Sequence, residues 1–190
     1  MIRRKTEKTT RNKTKGKNYA VDGKKYQSKT LYETHLEFKK ALNKGFIKSF
    51  DLDSGTISRK SRYTSYKPVI DGIKFDSLME GRYYIYLKEL EQKNQISFLE
   101  LQPSYELQPS FKKGDKRFRA ITYIADFTFL DNNNERHVVD VKGKETVEFK
   151  IKQKLFEYKY PELTLSVIQF YDEQWMELSD IKKLKRKKTK

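Results

Sequence analysis

Two β-prone runs flank a short polar turn. Residues 118–130 (FRAITYIADFTFL) and 137–143 (HVVDVKG) are separated by the hexapeptide DNNNER. Alternating apolar, β-branched and aromatic residues on either side of an asparagine-rich turn predict an antiparallel hairpin. If the turn centres on Asn133, Asp126 and Asp140 are equally far from it and lie directly opposite one another. Cross-strand partners share a face, with β-carbons about 4.5–5.5 Å apart. Two carboxylates that close repel unless they are protonated or bridged by a cation. Alternation sends Ala125, Phe127, Phe129, Val139 and Val141 to the opposite face as a core face, and places Lys142 beside Asp140. A magnesium ion between the two acids resolves the repulsion. The plainer alternative is a solvated strand face carrying ordinary surface charges.

The tripeptide acid-x-lysine carries little by itself, because Glu148-Phe149-Lys150, Glu157-Tyr158-Lys159 and several others fit it too. Asp140-Val141-Lys142 differs in its setting, an apolar strand between a hairpin turn and a helix. Glu80 is the candidate third acid. In "SLME", residues 77–80, it also fits a capping box in which the glutamate bonds back to the Ser77 backbone.

Composition narrows the chemistry. The 190 residues contain no cysteine and two histidines, and carry a formal charge of +16. Disulfides, thiolate zinc sites and cysteine nucleophiles are excluded, and a histidine-rich metal site is disfavoured. A metal here is expected on carboxylate oxygen, which suits magnesium, with manganese as a substitute. The positive excess points to nucleic acid as partner, ahead of an acidic membrane surface. No apolar run is long enough to span a bilayer and the first residues lack a secretory signal core, so a soluble, cytoplasmic protein without a membrane partner is expected.

Four segments are expected: a basic flexible arm (1–18), an N-terminal repeat-like module with its linker (19–66), the main domain (67–175) and a basic C-terminal tail (176–190). Residues 21–52 align without gaps on 70–101: Asp22-Gly23 on Asp71-Gly72, Ser28 on Ser77, Ile47 on Ile96 and Leu31 on Glu80. Each copy reads as a turn, a serine-capped helix and an apolar strand start. Pro103 limits the strand in 96–107 to an edge, bend or break. Val147, Ile151, Leu155 and Tyr158 define a helical face, Pro161 stops that helix, and 163–171 is a further strand. From Ser77 the order is helix, three strands, helix, strand. The fold class is therefore α/β, with helices flanking a mixed central sheet.

Across residues 70–171 the chain resembles the PD-(D/E)xK nuclease superfamily. The likeness rests on "FDSLMEGRYYIYL", "TYIADFTFL" and "HVVDVKG". More narrowly, "IDGIKFDSLMEGRYY", "LELQPSYELQP", "RAITYIADF" and "VVDVKGKET" with "KLFEYKYP" are similar to a family of small phage proteins related to endonuclease I-type Holliday-junction resolvases and TnsA-type transposon endonucleases. The resemblance implies a restriction-endonuclease-like αβββαβ core, with an N-terminal helical and strand extension here. It implies a catalytic set of Glu80, Asp126, Asp140 and Lys142. Three features depart from the pattern: aspartate where many members place glutamate before x-lysine, no proline ahead of Asp126, and the N-terminal repeat.

The implied activity is metal-dependent DNA hydrolysis on branched DNA in recombination or genome processing. Asp126 and Asp140 would hold magnesium, the Val141 carbonyl is a further ligand, and Glu80 binds a second metal or its water. Lys142 orients or deprotonates the water and stabilises phosphate charge. Gln102, Lys150, Gln153 and Lys154 are candidate phosphate contacts, with a surface polar network as the alternative. Nicking of duplex DNA, RNA cleavage and non-catalytic nucleic-acid binding are the competing readings. Symmetric junction cutting needs two sites, and Leu31 removes the acid from the first copy, so a homodimer is expected, with the first copy's helix as dimerising or DNA-clamping element.

Overall fold

The computed structural model describes residues 19–26, 28–52 and 66–188. The expected basic arm and most of the linker between the copies lie outside them. The described chain opens on β1 (Tyr19–Val21), β2 (Lys24–Tyr26), α1 (Lys29–Asn43) and β3 (Phe50–Asp51). The same order follows in β4 (Val69–Ile70), β5 (Ile73–Lys74), α2 (Leu78–Gln92) and β6 (Ile96–Leu101). Both hairpins turn on Asp-Gly with left-handed backbone, at φ 50° and 75° for Asp22-Gly23 and 53° and 79° for Asp71-Gly72. Such a turn matches the twist of the flanking strands. Both helices are capped by serine: Leu31 N–H donates to Ser28 Oγ at 3.3 Å and Glu80 N–H to Ser77 Oγ at 3.2 Å. In the gapless alignment α1 and α2 begin and end at matching positions, so the sequence repeat is also a structural one.

The copies pack against each other. Gly81 permits the approach, because a β-carbon there would lie 2.9 Å from Pro68 Cγ, 3.0 Å from Ile70 Cδ1 and 3.4 Å from Phe38 Cζ. Arg82 reaches from α2 to Glu37 of α1 at 2.7 Å. Phe38, Ala41, Ile47 and Leu52 then share one buried cluster with Ile70, Leu87, Phe127, Phe129, Val139 and Val141. The apolar residues of α1 are largely used inside the chain. Leu31 and Phe38 are buried, Leu42 is partly buried, and Leu36 is exposed.

Beyond β6 come β7 (Ser104–Gln108), β8 (Phe111–Lys113), β9 (Lys116–Phe118), β10 (Ile121–Ile124), β11 (Phe127–Asp131) and β12 (Arg136–Val141). They are followed by α3 (Val147–Lys159), β13 (Leu165–Tyr171), β14 (Gln174–Glu177) and α4 (Leu178–Lys188). The central sheet has five strands in the order β14-β13-β12-β11-β6. Only β12 and β13 run parallel, joined through α3, and the other pairs are antiparallel. The fold is mixed α/β, and the helix, three-strand, helix, strand order is carried by α2, β6, β11, β12, α3 and β13.

Three expectations are corrected. Residues 118–130 do not form one strand, whereas the run 96–107 divides at Pro103 as that proline predicts. The two runs pair as an antiparallel ribbon that bends where Gln102-Pro103 crosses Ala125-Asp126. Below the bend β6 pairs with β11; above it β7 pairs with β10 in a separate sheet. Gln102 N–H to Asp126 O (3.0 Å) and Ala125 N–H to Pro103 O (3.1 Å) hold the joint, with Gln102 at φ 51°. The bend turns Ala125 away from Phe127 into a second cluster with Tyr123, Val138, Phe149 and Phe156.

The buried face of α3 is also different. Val147, Ile151 and Tyr158 are 76%, 56% and 88% exposed, while Phe149 and Phe156 are buried. Two phenylalanines seven residues apart bury more surface than the aliphatic stripe and meet an aromatic partner set in Tyr105, Tyr123 and Tyr160. Last, the expected flexible tail is helical through Lys188, because Leu178 and Ile181 share a face and are buried. Among the described residues no helix is long and apolar enough to cross a membrane.

Candidate active site

The joint in the ribbon positions Asp126. Its N–H donates to Val139 O at 3.1 Å. The hairpin register centres on Asn133 as expected but ends at Phe127 to Val139, one residue short of Asp126. At the joint Asp126 bonds Val139 rather than pairing directly with Asp140, and its carboxylate still lies close enough to feel the Asp140 charge. Asp126 Oδ2 accepts the Val141 N–H at 2.7 Å. Val141 thus enters through its backbone while its side chain lies in the core.

Asp140 is 1% exposed, which removes the reading as an ordinary surface charge. Strand β12 is buried on both faces, under α2 on one side and α3 on the other, so a carboxylate here has to find partners within the protein. Oδ2 accepts the hydroxyl of Tyr123. Lys142 Nζ stands 2.8 Å from Oδ1. The ammonium approaches off the axis of an aligned hydrogen bond, and Oδ1 remains a buried acceptor with no hydrogen-bond donor. The Lys142 ammonium also lies 5.5 Å from the centre of the Phe149 ring.

The charges are strongly interdependent. Burial first, then the Asp140 charge, push the Asp126 carboxyl up to about 8, with Glu80 adding to the push and the Val141 N–H and Lys142 opposing it. Burial would depress the Lys142 ammonium, but Asp140, Asp126 and Glu80 outweigh it and the net shift is upward. Burial also raises Glu80, against the hydrogen bonds from Ser77 and Asp76.

Glu80 makes the capping contacts and faces the site as well. Its Oε1 accepts the Ser77 hydroxyl at 2.8 Å and its Oε2 the Asp76 N–H at 3.1 Å, so the backbone partner is Asp76 rather than Ser77. Glu80, Gln102 and Asp126 line one small cavity of about 50 Å³, closed by Ile73, Lys74, Phe75, Leu101 and Phe127. Among the other expected contacts, Lys150 lies on α3 within 3.9 Å of Glu145, Lys154 is exposed and Gln153 half-buried. Sequence reasoning missed Tyr123 and Phe149, which fix Asp140 and Lys142. Their only signal is aromatic character on β10 and α3, and it cannot be read before the bend is known.

Two other features are less able to do chemistry. A larger depression of about 780 Å³ is lined by Asp71, but that carboxylate already accepts from Lys48 N–H, Ser49 N–H and the Tyr84 hydroxyl. Asp131, Glu135 and His137 cluster at the far end of the hairpin, where Asp131 is occupied by the Asn133 and Glu135 N–H groups and by His137. By contrast, the ligating atoms offered by Asp126 and Asp140 are all oxygen, with one buried Asp140 oxygen facing only an off-axis ammonium at 2.8 Å and one acid whose ionisation is opposed. A hard divalent cation would relieve both conditions, so these residues fit magnesium or manganese.

The model of the family described as "Protein of unknown function (DUF1064)" matches residues 60–174. The chain belongs to that family, and the matched span holds every site residue named above while leaving out the first repeat copy and α4. Comparison with curated proteins and with solved structures returns no match.

Proposed function

We propose that this DUF1064 member is a magnesium-dependent DNA endonuclease with a restriction-endonuclease-like core of the PD-(D/E)xK type. One observation supports it most: two neighbouring acids at a strand joint, Asp126 and the buried Asp140, with the Lys142 ammonium 2.8 Å from the latter. Magnesium, or manganese in its place, would be held by Asp126 and Asp140 with Glu80 and the Val141 carbonyl as further ligands, and would supply Lewis-acid activation of water and phosphate. The chain's own residues do the rest. Tyr123 pins one oxygen of Asp140 and leaves the other facing the site. The Val141 N–H fixes Asp126. Lys142, held as an ammonium, offers donors to the scissile phosphate as charge develops on it. Exposed Gln102 offers its amide at the cavity rim. The resemblance to junction resolvases makes branched DNA the substrate of this proposal and a homodimer its acting form, since each chain carries one set of acids.

The test is incubation of the full chain with labelled linear, nicked and four-way-junction DNA, and with matched RNA, in magnesium or excess EDTA. Magnesium-dependent cleavage of DNA, greatest on the junction, is the expected result. Cleavage that persists in EDTA, or of RNA alone, would reject this assignment.

A thermal readout checks the metal independently of turnover. The folded-state pKa of Asp126 is raised, so its protonation favours the fold at low pH and that contribution is lost as pH climbs from near 4 towards 8. Magnesium should substitute for the proton. At ten times its dissociation constant it should add about 1.4 kcal/mol, or about 3–6 °C in a chain of this size. The increment should be larger at pH 9 than at pH 6, where the proton competes. A shift independent of pH would mean binding elsewhere.

A further inference from the structure

The hairpin of β8 and β9 takes no part in either buried cluster. Residues 109–120 are exposed throughout except Phe118, which is half-buried beneath its neighbours. Its sequence, FKKGDKRFR, carries five cations and one carboxylate. The register sets Lys112 opposite Arg117 and Lys113 opposite Lys116. Like charges placed directly opposite one another destabilise a strand pair, and here two successive pairs do so, on opposite faces. Among the described residues none of these four cations, nor Arg119, has a carboxylate within ion-pair distance. Phe111 and Phe118 stack at 4.7 Å and 6°, and Lys116 lies 5.0 Å from the Phe118 ring, so the root of the ribbon is stiffened without help from the core.

We infer that this hairpin is a DNA-contacting arm that enters the major groove of a duplex, its two cationic faces meeting the phosphates on either side. Strands in a pair lie about 4.8 Å apart, and the B-form major groove, about 12 Å wide, admits a two-stranded ribbon. A groove has phosphate walls on both sides, which matches cations on both faces. The A-form major groove of RNA is too narrow for the same entry. With the two rings stacked on each other, the arm is a poor platform for single-stranded bases, which need open aromatic faces. The inference rests on DNA being the substrate of the carboxylate site, and the two can be separated by experiment.

Fluorescence anisotropy in EDTA should compare the full chain with a variant in which Lys112, Lys113, Lys116 and Arg117 are all alanine, on a labelled duplex DNA and the matched double-stranded RNA. Each lost phosphate contact removes about 0.9 from the slope of log affinity against log salt, so a slope shallower by about 3 to 4 is expected. Affinity near physiological salt should fall about 10- to 100-fold, with RNA binding much less affected. Lys113→Glu should raise the melting temperature, by pairing with Lys116, while still weakening DNA binding. That combination separates loss of contact from loss of fold. An unchanged slope in a wild type that cuts DNA, or an equal loss on RNA, would overturn the arm and leave the nuclease reading intact. Arm-dependent duplex binding in a wild type that cuts nothing would keep the arm and overturn the nuclease.

Discussion

Asp140→Asn is expected to lower magnesium-dependent cleavage by about a thousandfold or more while the protein stays folded. The carboxylate is the most buried acid of the site, and its charge cannot be replaced by water. Losing about 4 kcal/mol of transition-state charge stabilisation corresponds to that factor. Asparagine keeps the shape and an oxygen that can accept the Tyr123 hydroxyl, so the local packing survives. It also removes the charge that helps push the Asp126 carboxyl upward, so melting above pH 8 should be unchanged or higher. Lys142→Ala should abolish activity too, but by a route that costs stability, since it strips a buried carboxylate of the ammonium paired with it. Single-turnover cleavage and melting curves on both variants distinguish the two effects. Wild-type cleavage by Asp140→Asn would place the chemistry elsewhere in the molecule.

Phe38→Ala is expected to cost about 3–5 kcal/mol, which is a large share of a domain's stability. Phe38 is fully buried between the two repeat copies, edge-on to Phe50 at 5.7 Å and facing the Cα of Gly81. Leu36→Ala, two residues away on an exposed face, should change stability by less than about 0.5 kcal/mol. Urea denaturation of the two variants gives the comparison. Equal, small effects would mean that α1 is a detachable extension. A large effect for Phe38 alone would mean that shortening the chain to residue 66 onward uncovers Ile70, Pro68 and the Gly81 face, so that truncation changes the main domain itself.

Local rules made part of this molecule readable in advance. The hairpin register about Asn133 follows from counting residues, and the serine caps and Asp-Gly turns follow from backbone chemistry. The proximity of Asp126 and Asp140 follows from that count, while the joint with Gln102-Pro103 sets how Asp126 is held. What could not be read depends on partners distant in sequence. The bend at Asp126 is a property of two strands jointly, because Gln102-Pro103 breaks one and forces the break in the other. Alternation alone, carried across that bend, put Ala125 on the wrong side. On α3 the periodicity of Val147, Ile151, Leu155 and Tyr158 is genuine, but Phe149 and Phe156 offer a competing stripe with aromatic partners on β7 and β10. Tyr123 as partner of Asp140 was hidden for the same reason.

The joint has a further consequence for how the chain can vary. The two backbone hydrogen bonds between Gln102-Pro103 and Ala125-Asp126 clamp the ribbon at its root, at 3.0 and 3.1 Å. Everything between those residues leaves and re-enters the sheet at one fixed point. Residue pairs can be added to or removed from β8 and β9 without altering the joint that holds Asp126 beside Asp140, because loop length beyond a closed pair costs little free energy. Reach and chemistry are therefore independent variables in this fold, and a longer or shorter hairpin could be grafted onto an unchanged set of carboxylates.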